Sequence, residues 1–144
     1  MIEAMLLPEL DEESAPFFAH AAAGELRVQR CTSCGLRRMP PRPMCAACRS
    51  FAAHWDLLSG RGTIWSYAVP HPPLLPAYTE VAPYNVVIVE VEEDPTIRFC
   101  GNLVASADGS IGEIDPSTIE IGEPVRVVFP TAIDGVVLPR WVRA

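Results

Sequence analysis

The stretch from Cys31 to Cys48, CTSCGLRRMPPRPMCAAC, restricts what this chain can fold into more than any other. It holds four of the five cysteines as two Cys-x-x-Cys pairs with ten residues between them, the spacing of a tetrahedral all-thiolate metal site. Two residues between paired cysteines let one tight turn aim both sulfurs inward. Gly35, directly after Cys34, can take the positive φ such a turn requires. The second pair closes the tetrahedron and leaves no position for water, so a metal here supplies folding free energy and activates nothing. The reading is a structural zinc ribbon with Cys31, Cys34, Cys45 and Cys48 as ligands. Two disulfides or four unrelated thiols are the bland alternatives, and iron in a rubredoxin-like site competes because four thiolates do not choose between the metals.

At 144 residues the chain is one domain, or one small module joined to another. A ribbon fills too little of it, and with 49% apolar residues the remainder can bury a modest core. No run of eighteen apolar residues occurs, and the start, MIEAMLLPELDEE, lacks a basic signal region. A cytoplasmic location without a membrane partner is therefore expected.

Charge is unevenly spread. Seven of the eleven arginines (Arg27, Arg30, Arg37, Arg38, Arg42, Arg49 and Arg61) fall between residues 26 and 61, where Asp56 is the sole acid. Ten of the eighteen acids fall between residues 80 and 123. A basic island on an acidic chain of net charge −7 points to a phosphate-bearing ligand or an acidic partner at the ribbon end, against the plainer reading of a solvated basic face.

Taken in order, residues 1–25 read as a loose arm and a short helix over Ser14 to Ala23, with Ser14 as N-cap and Gly24 as terminator. Phe17 and Phe18 lie on its apolar side and need cover, from the chain itself or from another protein. Residues 26–58 hold the ribbon, entered by a strand over Glu25 to Arg30 and bridged by the stiff segment Met39-Pro40-Pro41-Arg42-Pro43. Residues 59–144 carry five strand candidates: Thr63 to Val69, Tyr84 to Glu92, Thr96 to Val104, Val125 to Phe129 and Val136 to Val142. Turn signals such as Asp94-Pro95, Asp108-Gly109 and Asp134-Gly135 separate them. Five short strands in this space suggest a small closed barrel of the OB type, with two packed sheets as the alternative. A proline-rich loop, Pro70 to Pro83, follows the first barrel strand and carries His71, Leu74, Leu75 and Tyr78. It is pre-ordered and suited to docking, or it folds back over an open barrel end.

Chemistry is sparse. His20, His54 and His71 stand in no spacing that reads as a catalytic set. Cys100, between Phe99 and Gly101 in a strand, reads as a small buried thiol. No phosphate-binding glycine loop or nucleophile elbow is present. The chain alone is not expected to be a complete enzyme.

The order of these parts resembles a family. Pro16-Phe17-Phe18 is followed by Gly24-Glu25-Leu26-Arg27-Val28-Gln29-Arg30-Cys31, Pro40-Pro41-Arg42, Ser59-Gly60-Arg61-Gly62-Thr63, Ala82-Pro83-Tyr84 and Ile121-Gly122-Glu123-Pro124-Val125. This series, from about residue 11 to 143, is similar to the zinc-ribbon plus OB-fold acyl-CoA-associated proteins known as domain of unknown function thirty-five. The resemblance implies a mainly β fold: a short N-terminal helix, a rubredoxin-like zinc ribbon and a five-stranded OB barrel. It also implies a non-catalytic accessory subunit that docks on a thiolase-fold enzyme, where the partner supplies the catalytic residues. Such partners are thiolases, acyltransferases or retro-aldolases acting on acyl-CoA, as in steroid side-chain degradation. Residue by residue, the resemblance carries over only the four cysteines as zinc ligands; the charge island makes Arg37, Arg38 and Arg42 candidates for the phosphates of coenzyme A. Phe17, Phe18, His71, Leu74, Leu75 and Tyr78 are candidates for docking.

Two other classes stay open. A zinc ribbon plus OB barrel can bind nucleic acid, with Trp65 or Tyr67 stacking on bases, although the acidic barrel half opposes a polyanion. An iron-loaded electron carrier would be red.

Overall fold

Alternating burial along short strands is the physical basis of the architecture. In the computed structural model, which describes residues 5–144, the apolar members of that alternation meet in one core. The first four residues of the expected arm lie outside the described part.

Helix α1 (Ala15–Ala22) has Pro16 in its first turn, where a missing N–H costs nothing. Ser14 does not cap it through its side chain. Asp11 organises the start instead, its Oδ1 accepting from the Ser14 N–H at 2.8 Å and from the Glu13 N–H at 3.1 Å. Those two hydrogen bonds favour the carboxylate, and the Ser14 N–H, the stronger influence, holds Asp11 below the usual carboxylate range. Gly24, at φ 78°, ends the helix as expected, with its N–H on the Ala21 carbonyl and the Glu25 N–H on that of His20.

Strands β1 (Arg27–Cys31), β2 (Arg37–Arg38) and β3 (Ala53–Leu57) form an antiparallel sheet in the order β2-β1-β3. Strand β1 pairs with β3 over its whole length, from Arg27 opposite Leu57 to Cys31 opposite Ala53. The second sheet has the order β6-β5-β4-β7-β8, from β4 (Arg61–Ala68), β5 (Val86–Val91), β6 (Arg98–Gly101), β7 (Pro124–Val128) and β8 (Arg140–Arg143). A register shift between Ile64 and Ser66 leaves Trp65 as an outward bulge, with the Arg98 guanidinium 4.0 Å from its ring centre.

The sheet closes on itself just past β6. Leu103 bridges Trp141 of β8 in parallel, the Val104 N–H donates to the Trp141 carbonyl at 2.8 Å, and the Trp141 N–H donates to the Asn102 carbonyl at 3.0 Å. Asn85 holds the other side of this seam. It is fully buried, its Nδ2 donating to the Leu103 carbonyl at 2.9 Å and its Oδ1 accepting from the Leu103 N–H at 2.7 Å. These are the five strands of an OB-fold domain.

Ribbon, helix and barrel share the main core. Phe17 of α1, Leu26 and Val28 beside and within β1, and Leu58 pack with Ile64, Val87, Val89, Phe99 and Trp141. Phe17 stacks on Phe99 at 6.0 Å and meets Phe18 edge-on at 5.1 Å. The chain itself buries Phe17 and partly covers Phe18, so Phe17 is not a free docking residue.

The proline-rich loop folds back. Its one helical turn, α2 (Pro76–Thr79), buries Ala77, while Leu74, Tyr78, Val81 and Ala82 pack on a second cluster of Tyr84, Val104, Ile111 and Val142. His71 and Leu75 stay exposed. Met5 joins the same cluster and the Leu6 N–H donates to the Tyr78 hydroxyl at 3.2 Å, so the arm is tied down from Met5 on rather than loose. Among the described residues, no helix is long and apolar enough to cross a membrane.

Candidate metal centre and its surroundings

Cys31 ends β1, and the turn after it returns the chain to β2. The Gly35 N–H donates to the Cys31 carbonyl at 2.9 Å, and the Cys31 N–H donates to that of Leu36 at 2.8 Å. Gly35 has φ 79°, the left-handed conformation its position predicts. The second pair repeats this turn: the Arg49 N–H donates to the Cys45 carbonyl at 3.0 Å, and the Cys45 N–H to that of Ser50 at 2.9 Å. Here the left-handed residue is Arg49, at φ 64°, where a side chain costs conformational energy that glycine avoids. The Ser33 hydroxyl donates to that of Ser50 at 2.9 Å and ties the two turns together.

All four sulfurs lie within 4.8 Å of one another. Cys31 Sγ stands 3.5 Å from Cys48 Sγ, and Cys34 Sγ 3.6 Å from Cys45 Sγ. A divalent metal about 2.3 Å from each sulfur sets tetrahedral edges of about 3.8 Å, so these four donors fit it. Disulfides need sulfurs about 2.05 Å apart, and all the cysteines are free. Cys31 and Cys45 are buried, Cys34 and Cys48 exposed.

The turns pre-polarise the site. The Cys34 N–H, 3.5 Å from Cys31 Sγ, leads the effects that draw the Cys31 thiol down to about 6. The amides of Cys48 and Ala47 lower Cys45. The Ser50 amide favours a thiolate at Cys48, but burial and the three neighbouring sulfurs outweigh it and push that thiol up to about 11. Four thiolates crowd one another, and a cation at their centre removes that conflict.

The arginine island is largely spent inside the molecule. Arg37 is 18% exposed, with Nε on Asp56 at 2.9 Å and Nη1 near Asp94 at 3.7 Å, and it joins the ribbon to the β5–β6 turn. Burial opposes ionisation of Asp94, yet hydrogen bonds from Thr96 and the Arg37 charge together hold it below its ordinary value. Arg38 is buried. Its Nε donates to Gln29 Oε1 at 2.9 Å and its Nη2 to the Arg42 carbonyl at 2.8 Å. Gln29 Oε1 also accepts from the Arg42 N–H at 2.7 Å, so Gln29 and Arg38 pin the proline bridge from within. Neither Arg37 nor Arg38 is displayed to a phosphate, because register places one beside Asp56 and the other beside Gln29. Arg42 is displayed, its side chain exposed at the crest of that bridge.

Other predicted residues scatter. His54 Nδ1 lies 3.3 Å from the Thr32 hydroxyl, His20 packs against Trp55, and His71 sits on the far loop. Cys100 is exposed, not buried: Ile97 and Phe99 turn inward, which sends Cys100 out. Sequence reasoning passed over the exposed apolar residues beside the sulfurs, Leu36, Met44 and Phe51, the last 75% exposed. Their signal was an apolar residue next to each tight turn.

Residues 18–53 match a family described as ChsH2, rubredoxin-like zinc ribbon domain, and residues 55–130 match ChsH2, C-terminal OB-fold domain. A DUF35 domain-containing scaffold protein of Methanothermobacter thermautotrophicus is 37% identical over 105 residues, covering 72% of this chain and 71% of that one. The chain belongs to the ChsH2-type DUF35 family. This DUF35 chain is also 37% identical over 134 residues, 92% of its length, to a probable enoyl-CoA hydratase alpha subunit of Thermomonospora curvata. It is 34% identical over 127 residues, 88% of its length, to the 3-oxo-4,17-pregnadiene-20-carboxyl-CoA hydratase alpha subunit of Mycobacterium tuberculosis. It spans 38% and 37% of the lengths of those two relatives. A chain in the solved structure of an Ltp2-ChsH2(DUF35) aldolase superposes on it with a TM-score of 0.81 at 34% identity, covering 95% of this chain and 98% of that one.

Proposed function

We propose that this chain is a zinc-bearing accessory subunit that docks on a thiolase-fold enzyme acting on an acyl-CoA. The retro-aldol class of reaction is favoured, with the catalytic groups on the partner. The observation that carries the reading is the likeness over 95% of the chain to a chain of an aldolase assembly. The relatives named for CoA-thioester hydratases support a CoA-linked, steroid-type substrate.

The metal site gives the proposed dock its stiffness. A zinc ion held by Cys31, Cys34, Cys45 and Cys48 would fix both turns, and Leu36, Met44 and Phe51, next to those turns in the chain, are exposed. Aromatic and Met side chains displayed on a rigid frame lose little entropy on association. Arg42 stands on the same ribbon and is the remaining candidate for a phosphate of coenzyme A. Leu75 and His71 offer a second, weaker contact from the loop. Trp65, which a nucleic-acid reading would assign to base stacking, already carries Arg98 over its ring.

The test is co-purification of the tagged chain from its native host, with the bound protein identified by mass spectrometry and assayed for acyl-CoA cleavage. Recovery of a thiolase-fold protein whose activity falls without this chain supports the proposal. Phe51→Ser is expected to weaken that complex, and Arg42→Ala to raise KM for the acyl-CoA with assembly intact. A lone monomer, or co-purifying nucleic acid, overturns it.

A further inference from the structure

Strand β8 alternates as a barrel strand must: Trp141 enters the main core, while Arg140 and Val142 point to the opposite face. Val142 is buried there among Tyr84, Val104 and Ile111. Arg140 follows it into the same apolar surroundings and is partly buried. Five other arginines have carboxylate partners, Arg27 on Glu25, Arg30 and Arg37 on Asp56, Arg61 on Glu92 and Arg143 on Glu123, and buried Arg38 holds Gln29, while Arg42, Arg49, Arg98 and Arg126, which have no carboxylate, are exposed. Among the described residues, the Arg140 guanidinium has no carboxylate partner and no hydrogen-bond acceptor. Burial without an anion works against its charge and lowers its proton affinity.

Arg140 lines two cavities. The larger, about 720 Å³, lies between the arm at Leu6 and Leu7, Tyr78 of α2 and the loop through Ile133. The smaller, about 450 Å³, is walled by Phe18, Met39 and Trp141. Asn102, Leu138 and Arg140 line both and form the partition between them. Each volume falls within the ~300–1,000 Å³ range of small-molecule sites. The smaller cavity is mainly apolar, whereas the larger also carries Asn102, Asp108, Thr131 and Asp134. Tyr78 supplies a hydroxyl donor beside the arm. Its oxygen accepts from the Leu6 N–H, which leaves the phenolic hydrogen free to donate.

We propose that these adjoining cavities bind a small amphipathic monocarboxylate, its carboxylate held by Arg140 and Tyr78 and its chain lying along the apolar walls. A charge-assisted contact gives the partly buried guanidinium an anion in place of water alone. The choice of a single negative charge comes from the rim. Asp108, bound to the Thr131 N–H at 2.7 Å, and Asp134 both line the larger cavity. These two carboxylates oppose any anion, a phosphate dianion about twice as strongly as a monocarboxylate, so direct contact with Arg140 has to outweigh them and a single charge is the better fit. The site belongs to this chain alone and stands whether or not the chain docks on a thiolase-fold enzyme.

The experiment uses the metal-loaded full-length chain. Sodium decanoate, 1-decanol and inorganic phosphate are titrated separately, with tryptophan emission and calorimetry as readouts, since Trp141 lines the smaller cavity. Decanoate is expected to bind saturably with one site, decanol about tenfold or more weaker, and phosphate not at all. Arg140→Met keeps the apolar stem and is expected to weaken decanoate by about tenfold or more while leaving decanol unchanged. Tyr78→Phe keeps the ring packing on Tyr84 and weakens decanoate by a few-fold, which tests the site even if Arg140→Met does not fold. Equal affinity for decanoate and decanol, binding of phosphate, absence of decanoate binding, or indifference of decanoate to both substitutions overturns the proposal.

Discussion

Replacing Asn85 with leucine separates the two forces that hold the barrel shut. The side chains are close in size, and leucine is the more apolar, so burial alone favours the variant. Asn85 is fully buried, however, and its amide satisfies both the N–H and the carbonyl of Leu103, itself 0% exposed. Asn85→Leu strands both main-chain groups away from water, at about 1–3 kcal/mol each, or ~2–6 kcal/mol together. The added apolar burial offsets about 2 kcal/mol of this. A net loss of ~0–4 kcal/mol is therefore expected, at its upper end a large part of the ~5–15 kcal/mol that holds a domain folded. Asn85→Asp refines the test. Its carboxylate still accepts from the Leu103 N–H but opposes the carbonyl with negative charge, whereas the protonated acid donates to that carbonyl as the amide does. The folded state thus raises the introduced group's pKa. The stability it contributes is present below the unfolded-state value of about 3.9 and is lost as pH rises through the folded value. Urea unfolding at saturating zinc, followed by tryptophan emission, reads both variants. Asn85→Leu clearly more stable than the parent, or an Asn85→Asp midpoint that does not fall with rising pH, refutes the hydrogen-bond account.

Arg49→Gly relieves the left-handed strain in the second turn and is expected to stabilise the metal-loaded chain by about 1 kcal/mol in the same unfolding assay. Removing the metal with a chelator is expected to loosen the ribbon, and Cys31→Ser to abolish tight loading, both read by elemental analysis and circular dichroism. Because the folded site draws the Cys31 thiol down to about 6 and pushes the Cys48 thiol up to about 11, Cys31 meets the metal largely as a thiolate at neutral pH while Cys48 has to give up its proton. Metal affinity measured with an indicator should fall as pH drops, with a slope below that of four unperturbed thiols each releasing a proton. Arg37→Ala breaks the ion pairs to Asp56 and Asp94 and is expected to cost about 1 kcal/mol, less at high salt.

Local chemistry made the metal centre legible. Cysteine spacing and the glycine after Cys34 are short-range signals, and they specify the first turn without knowledge of the rest. The barrel strands were legible for a similar reason, since alternation and turn residues bracket them to within a few residues. Long-range pairing was hidden. A run of arginines reads as a basic patch until the register of β1 against β2 and β3 sets Arg38 on Gln29 and brings Arg37 to Asp56. Asn85 carries no local mark of being the clasp on Leu103, eighteen residues away. Cys100 was readable and misjudged: the alternation through Ile97 and Phe99 already turned it outward.

The common core of α1, β1 and the barrel has a consequence for engineering. Cut near residue 58 and the ribbon leaves with Leu26, Val28 and Leu58 as a bare apolar face, while the barrel loses the lid over Phe99. Neither piece is a portable cassette. A chimera that keeps the ribbon but changes the barrel has to keep those contacts too, so a graft has to carry both sides of the shared core rather than exchange modules.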